Sequence, residues 1–489
     1  MLGRRNLTRL ICAALGFLCA IAIAQAQIVS PKIKAGVPPG VPLRHDGQTF
    51  YPNTYALGAT DPQDPGATYI ASRMAMMSGS CTATALKLGF TNSAINQIDI
   101  GETTTALQNT NPTPLTTGIY AAYIEIAGAV TQVTFASGTA TSATVVATAG
   151  ITWSDTITIN VPPQTSYAIQ TLINASGPVG AVRLNYVSNP MPTGSGSELA
   201  TSQPADFGKV YGSGGAWQGS NLTFGAAIVM PLIVAATTTS STCNSVMIKG
   251  DSHVTGQTDN GIGDPGDANG FVGFPMRALD EFSNVPPFLC ACIGSNKIAS
   301  YGAPSSGTNA VEKAALSYFS NVMLYDIGND VAGTETATQI EGYASTFIDN
   351  GFTAGVKAAF VWIMPPQTTS GDNKWDNYTQ QAVFRNTGPA SKGATMTSWI
   401  EAGVTNGGNA MITVDHVTGT GGIGGACSAG SGLSGTGDTY FWCANGTPFY
   451  ATQLGEHPDA TLMNSYNVGA LQGYTLDINP GSTAYGLLQ

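Results

Sequence analysis

Five short apolar runs in the second half of the chain constrain its fold more than any other feature. They are NSVMIKG, PFLCACIG, NVMLYDIGN, KAAFVWIMPP and NAMITVD, and between them lie helix-compatible stretches such as NAVEKAALSYFS, TQIEGYASTFIDN and GATMTSWIEAGV. Strands alternating with helices build parallel βαβ units, here an open three-layer sheet. In such sheets ligands bind beyond the carboxyl ends of the strands. The residues after each run therefore matter most: Gly250-Asp251-Ser252, Gly294-Ser295-Asn296, Gly328-Asn329-Asp330, Pro365-Pro366-Gln367 and Asp415-His416. In a parallel sheet all five turns share one rim.

The preceding part of the chain has a different texture. Short Thr, Val, Ile and Ala runs such as ATALKLGFTN, GIYAAYIEIAG and TITINVPP are bounded by Gly, Pro, Asn or Ser, and several alternate apolar with polar residues. That is the pattern of half-buried antiparallel strands. An all-β sandwich or jelly-roll-like domain is expected over 51–240, followed by the α/β domain over 241–489. Residues 27–50, which contain SPKIKAGVPPGVP, read as an extended lead-in.

Composition agrees with a chain of strands, turns and loops. Charged residues make up 10% and glycine occupies 60 positions, so long solvated helices should be few. Residues 1–26 read as a signal peptide: Arg4, Arg5 and Arg9 precede an apolar run that ends in Ala24-Gln25-Ala26, a small-x-small cleavage pattern. The apolar run is too short for a bilayer span. A secreted or periplasmic location is expected, with no membrane span in the mature chain. The net charge of −11 becomes more negative once the three leader arginines are removed. Nucleic acid is a poor partner for so acidic a surface, because phosphate binding needs a basic stripe.

Export also permits disulfides. Cys12 and Cys19 leave with the signal, and Cys81, Cys243, Cys290, Cys292, Cys427 and Cys443 stay. Six cysteines allow 15 pairings. Cys427 with Cys443 is the favoured pair, since they flank a glycine-rich loop that has little else to hold it. Cys290 and Cys292 are not expected to bond each other, because two positions along a strand stretch them apart.

A serine hydroxyl is a weak nucleophile at neutral pH, so acyl transfer needs a base within hydrogen-bond reach and donors for the developing oxyanion. Ser252 can supply the hydroxyl and one backbone N–H. Gly294 can offer a close-approaching N–H and Asn329 a side-chain amide. Of the four histidines, His45 lies in the lead-in and His253 is adjacent to Ser252, where neighbouring side chains diverge. His457, followed by a stiffening proline in QLGEHPDA, is the preferred base over His416.

These blocks resemble the SGNH, or GDSL-like, hydrolase family: Gly250-Asp251-Ser252 with Thr255-Gly256 behind it, Gly294, Gly328-Asn329-Asp330, and His457-Pro458, in that order. The resemblance covers about half the chain. It implies a three-layer, flavodoxin-like α/β hydrolase domain, a serine esterase needing no cofactor. Ser252 would be the nucleophile and His457 the base, with the Ser252 N–H, the Gly294 N–H and the Asn329 amide as oxyanion hole. One departure matters. The family carries an aspartate three residues before the histidine, and here that position is Leu454. Asp415, at the end of the fifth strand, is one substitute; Glu456, Asp459 and a backbone carbonyl are others.

The remaining polar and aromatic residues have structural readings beside functional ones. Asp251 and Asp330 read as caps or braces of their turns. Asp259, Asp264 and Asp267 lie among glycines without the terminal glutamate of a calcium loop, and no cysteine–histidine spacing suits zinc. Trp217, Trp375 and Trp442 could stack on a sugar or pack locally. The stretch GGIGGACSAGSGLSG reads as long and structureless, either a lid or a disulfide-held loop. The expected activity is hydrolysis of carboxylic esters, with O-acylated polysaccharide as one candidate substrate and lipids or small esters as others. A non-catalytic surface or carbohydrate-binding protein on a hydrolase scaffold is the alternative class, and Leu454 favours it.

Overall fold

The structure, a computed structural model, describes residues 43–44, 69–90, 116–146, 151–174, 194–200, 207–208, 231, 233–239, 243–251, 254, 276, 279, 285–292, 297–299, 314–325, 327–362, 392–401, 411–413, 433–436 and 439–442. Among these, eleven antiparallel strands come first: β1 (Leu43–Arg44), β2 (Tyr69–Met77), β3 (Ala83–Phe90), β4 (Thr116–Ile126), β5 (Ala129–Gln132), β6 (Ala143–Val146), β7 (Thr152–Trp153), β8 (Ile157–Val161), β9 (Ser166–Asn174), β10 (Gly196–Ala200) and β11 (Ile233–Thr238). One sheet has the order β1-β11-β3-β7 with β8 also on β3, and the other β10-β2-β9-β4-β5 with β6 also on β4.

Side chains alternate across each strand, and the buried half from both sheets meets in one core. Met74 and Met76 of β2, Leu86 and Leu88 of β3, and Ile124 of β4 belong to it. The opposite face of the second sheet is not left to water. Arg73 and Glu125 pair there at 2.9 Å, Gln170 donates to Glu125 at 3.2 Å, and the Gly208 N–H donates to Gln170 at 2.8 Å. Phe207 packs with Ala71 and Leu172 beside them, so the chain itself covers this face.

The second body is a parallel sheet of β12 (Val246–Gly250), β13 (Phe288–Cys292), β14 (Asn321–Tyr325), β15 (Ala358–Trp362) and β16 (Met411–Thr413), ordered β13-β12-β14-β15-β16. All five residues of β12 are buried, so both faces of the sheet centre are covered. Three helices are described: α1 (Gly328–Ala332), α2 (Ala337–Ala354) and α3 (Lys392–Glu401). Helix α2 begins in a capping box, in which Thr336 Oγ1 accepts from the Gln339 N–H and the Gln339 side chain accepts from the Thr336 N–H. Its buried positions Ile340, Ala344, Phe347, Ile348 and Gly351 recur at helical spacing, and the helix ends at Gly355, whose φ of 105° suits glycine. A Cβ on Gly351 would sit in ordinary contact with Val322, which places α2 against β14.

The two bodies meet at the amino ends of the parallel strands. A disulfide joins Cys81, between β2 and β3, to Cys243, just before β12. Gly79 lies against the ring of Pro287 and Gln164 donates to the Val285 carbonyl at 3.3 Å, both just before β13. The ring of Trp153 packs on Tyr318, just before β14, at 4.9 Å. Ser245 and Ser320 clasp the same edge, with the Ser245 N–H donating to Ser320 Oγ at 2.6 Å and Ser320 Oγ donating to the Ser245 carbonyl at 3.1 Å.

One sequence expectation needs amendment. The glycine-rich stretch is not structureless throughout, because its end enters a hairpin of β17 (Leu433–Thr436) and β18 (Thr439–Trp442). The two residues between these strands, Gly437 and Asp438, have the composition of a tight hairpin turn, a signal the glycine count obscured. The disulfide found, Cys81 to Cys243, joins residues 162 apart in sequence, and the favoured Cys427 and Cys443 lie outside the described residues.

Candidate active site

The order of the parallel strands creates the site. From β12 the chain crosses to β13 on one side and then returns to β14 on the other, so the strand order reverses between β12 and β14. Crevices at such a reversal are where open α/β sheets bind ligands. Val246 pairs with Asn321 and Lys249 with Leu324, so the two strands run level and their carboxyl ends leave the sheet side by side.

Asp251 follows β12 directly and is fully buried. Asn329 stands in α1, which begins three residues after β14. Across this reversal Asn329 Nδ2 donates to Asp251 Oδ2 at 2.6 Å. The carboxyl oxygen accepts, and an amide nitrogen carries two hydrogens. The hydrogen given to Asp251 therefore fixes the plane of the Asn329 amide and the direction of its second N–H. Ser252 is the next residue in the chain after Asp251. Lys249, two residues earlier and by strand alternation on the same face as Asp251, is also buried, at 1% exposure.

Asp330 faces the other neighbour. Its carboxylate accepts the Ile298 N–H at 2.8 Å and the Ala299 N–H at 3.1 Å, which ties α1 to the connection that follows β13. Burial pushes this carboxyl up to about 7, against the pull of the two N–H groups; the Glu335 charge adds to the rise and Lys297 opposes it. Lys297 and Glu335 pair at 3.2 Å. Lys392, the first residue of α3, donates to the carbonyls of Gly333 at 2.6 Å and Glu335 at 2.9 Å. These carbonyls close the end of α1. Among the described residues no three His, Cys, Asp or Glu side chains gather in a way that would hold a metal ion.

Of the residues expected in the site, Asn329 is placed, at the rim and in contact with Asp251. Ser252, Gly294, Asp415 and His457 lie outside the described residues, as do Leu454, Glu456 and Asp459. Strand β16 stops at Thr413, two residues before Asp415. The Asp251–Asn329 contact was missed by sequence reasoning, which treated Asp251 as a local brace. The sequence carries no signal for it, because only the strand order β13-β12-β14 makes the first and third turns, GDS and GND, neighbours.

No protein-family model matches the chain, and no curated protein matches it. Among solved structures, a family two carbohydrate esterase from Clostridium thermocellum in complex with cellohexaose aligns with 12% identity and a TM-score of 0.30, over 89% of this chain and 100% of that one. A family two carbohydrate esterase from Cellvibrio japonicus aligns with 10% identity and a TM-score of 0.23, over 74% of this chain and 89% of that one. Likeness this slight shows neither a shared fold nor a shared activity. No helix among the described residues is long and apolar enough to cross a membrane.

Proposed function

We propose that the chain is an exported serine esterase of SGNH type, with a three-layer α/β catalytic domain, which hydrolyses carboxylic esters through an acyl-Ser252 intermediate. The observation that supports it most is the Asn329 to Asp251 hydrogen bond across the strand-order reversal, with Ser252 next in the chain. A side-chain amide held against the residue that precedes a serine in the chain is one half of what an acyl-transfer site needs. In this reading His457 accepts the Ser252 proton as the hydroxyl oxygen attacks the ester carbon, and the oxyanion is held by the N–H groups of Ser252 and Gly294 and by Asn329. The proton then passes to the departing alcohol. Water, deprotonated by His457, attacks the acyl carbon and releases the acid, returning the proton to Ser252.

Asp415 is the proposed third member, acting on the far nitrogen of His457. Strands lie about 4.8 Å apart, so three steps from β12 to β16 put their ends roughly 14 Å apart, and Asp415 can act on Ser252 only through an imidazole between them. O-acyl groups on a carbohydrate polymer are the proposed substrate, on the strength of an exported chain with an accessory double sheet.

A fluorophosphonate probe tests the reading on the full chain. Labelling is expected in the wild type and absent in Ser252→Ala, with His457→Ala slowed by roughly 10³-fold or more. Unlabelled wild type, or equal labelling of Ser252→Ala, would establish the non-catalytic alternative. Acetate release from an acetylated polysaccharide, compared with p-nitrophenyl esters of increasing acyl length, separates a polysaccharide esterase from a lipase.

A further inference from the structure

The five-residue helix α1 follows β14, yet it grips the exits of two other strands. Asn329 reaches Asp251, the residue after β12, and Asp330, its immediate neighbour, reaches the backbone of Ile298 and Ala299 beyond β13. Since the sheet order is β13-β12-β14, these two side chains span the exits of three adjacent strands. Consecutive Cα atoms are 3.8 Å apart, so the amide and the carboxylate cannot move independently by much. A second tie joins the same two segments, the Lys297–Glu335 pair at 3.2 Å, and Gly333 leaves the room it occupies, because a Cβ there would collide with both charged groups. Lys392 holds the turn that follows α1 through the Gly333 and Glu335 carbonyls.

We infer that Asp330, seconded by the Lys297–Glu335 pair, is a positioning residue that sets the spacing between the connection after β13 and Asn329, the two places from which side-on oxyanion donors come in the esterase reading above. This rests on that reading. The carboxylate takes two N–H groups on its two oxygens, a bidentate grip that fixes orientation as well as distance. In the sequence Gly294, the proposed donor, stands four residues before Ile298. Oxyanion donors act at hydrogen-bond distance, and displacement by about 1 Å costs on the order of 100-fold in rate.

The test uses the full chain, the rate of fluorophosphonate labelling at Ser252, and kcat and KM for p-nitrophenyl acetate. Asp330→Asn, Lys297→Glu and Glu335→Lys are each expected to lower the labelling rate and kcat by roughly 10- to 100-fold with KM within about twofold. The double exchange Lys297→Glu with Glu335→Lys restores the pair with reversed charges and should return kcat to within about threefold of wild type. A folded Asp330→Asn protein with kcat within about twofold of wild type overturns the inference. Should that variant fail to fold, the single charge reversals decide: wild-type rates in both overturn it, and loss with rescue in the double exchange supports it. Wild type that does not label at Ser252 overturns the esterase reading and this inference together, whereas a labelled wild type with unaffected variants sinks the positioning role alone.

Discussion

The 2.6 Å bond from Asn329 to Asp251 joins an amide to a carboxylate that has no access to water. Asp251→Asn keeps the shape but exchanges one acceptor oxygen for a donor amide, so the amide of Asn329 is held less firmly. The expected result is a kcat roughly tenfold lower with KM nearly unchanged, read from steady-state hydrolysis of p-nitrophenyl acetate. An unaltered kcat would show that Asp251 does not orient Asn329. Asp330 makes a different prediction. Its carboxyl is raised from 3.8 to about 7 in the folded protein, so the native state holds this proton more tightly than the unfolded chain does. The stability it contributes is complete below about pH 3.8 and is lost as the pH rises through 7. Asp330→Asn, which cannot ionise, should therefore lose less melting temperature relative to wild type at pH 8 than at pH 4; a constant gap would argue against the raised value.

At the scale of elements, much of the fold was legible because its signals are local. The runs VMIKG, FLCAC, NVMLY, AAFVW and MIT became β12 to β16, since a short apolar run bounded by turn residues has few alternatives to a buried strand. TQIEGYASTFIDN became part of α2 because its apolar residues recur at three and four. Contacts set by strand order were not legible. Asp251 and Asn329 are 78 residues apart, and Cys81 and Cys243 are 162 apart, and nothing near either residue names its partner. The role of Ser252 rests, as it did in the sequence, on its place after β12. Helix α2 offers a direct check on how its start is held. Thr336→Ala removes one half of the capping box and should cost about 1 kcal/mol in urea unfolding. No change in midpoint would mean that packing of the buried stripe alone holds the helix start.

The whole molecule is organised end to end. The double sheet contacts the parallel sheet through Cys243, Val285, Pro287 and Tyr318, all at the amino ends of parallel strands, while Asp251 and Asn329 stand at the carboxyl ends. Each parallel strand here is five residues or fewer, and at about 3.3 Å per residue the two edges are roughly 16 Å apart. Replacing both Cys81 and Cys243 by serine should therefore lower stability by about 2–4 kcal/mol and leave kcat of the folded protein unchanged. A matching fall in kcat at temperatures well below melting would show that the junction reaches the rim. A chain arranged this way can vary its chemistry and its foundation separately. The connections that leave the rim can lengthen, shorten or change composition without disturbing the junction that keeps the parallel sheet folded, so variation in substrate preference among descendants of such a chain should accumulate at the carboxyl edge while the amino edge stays the same.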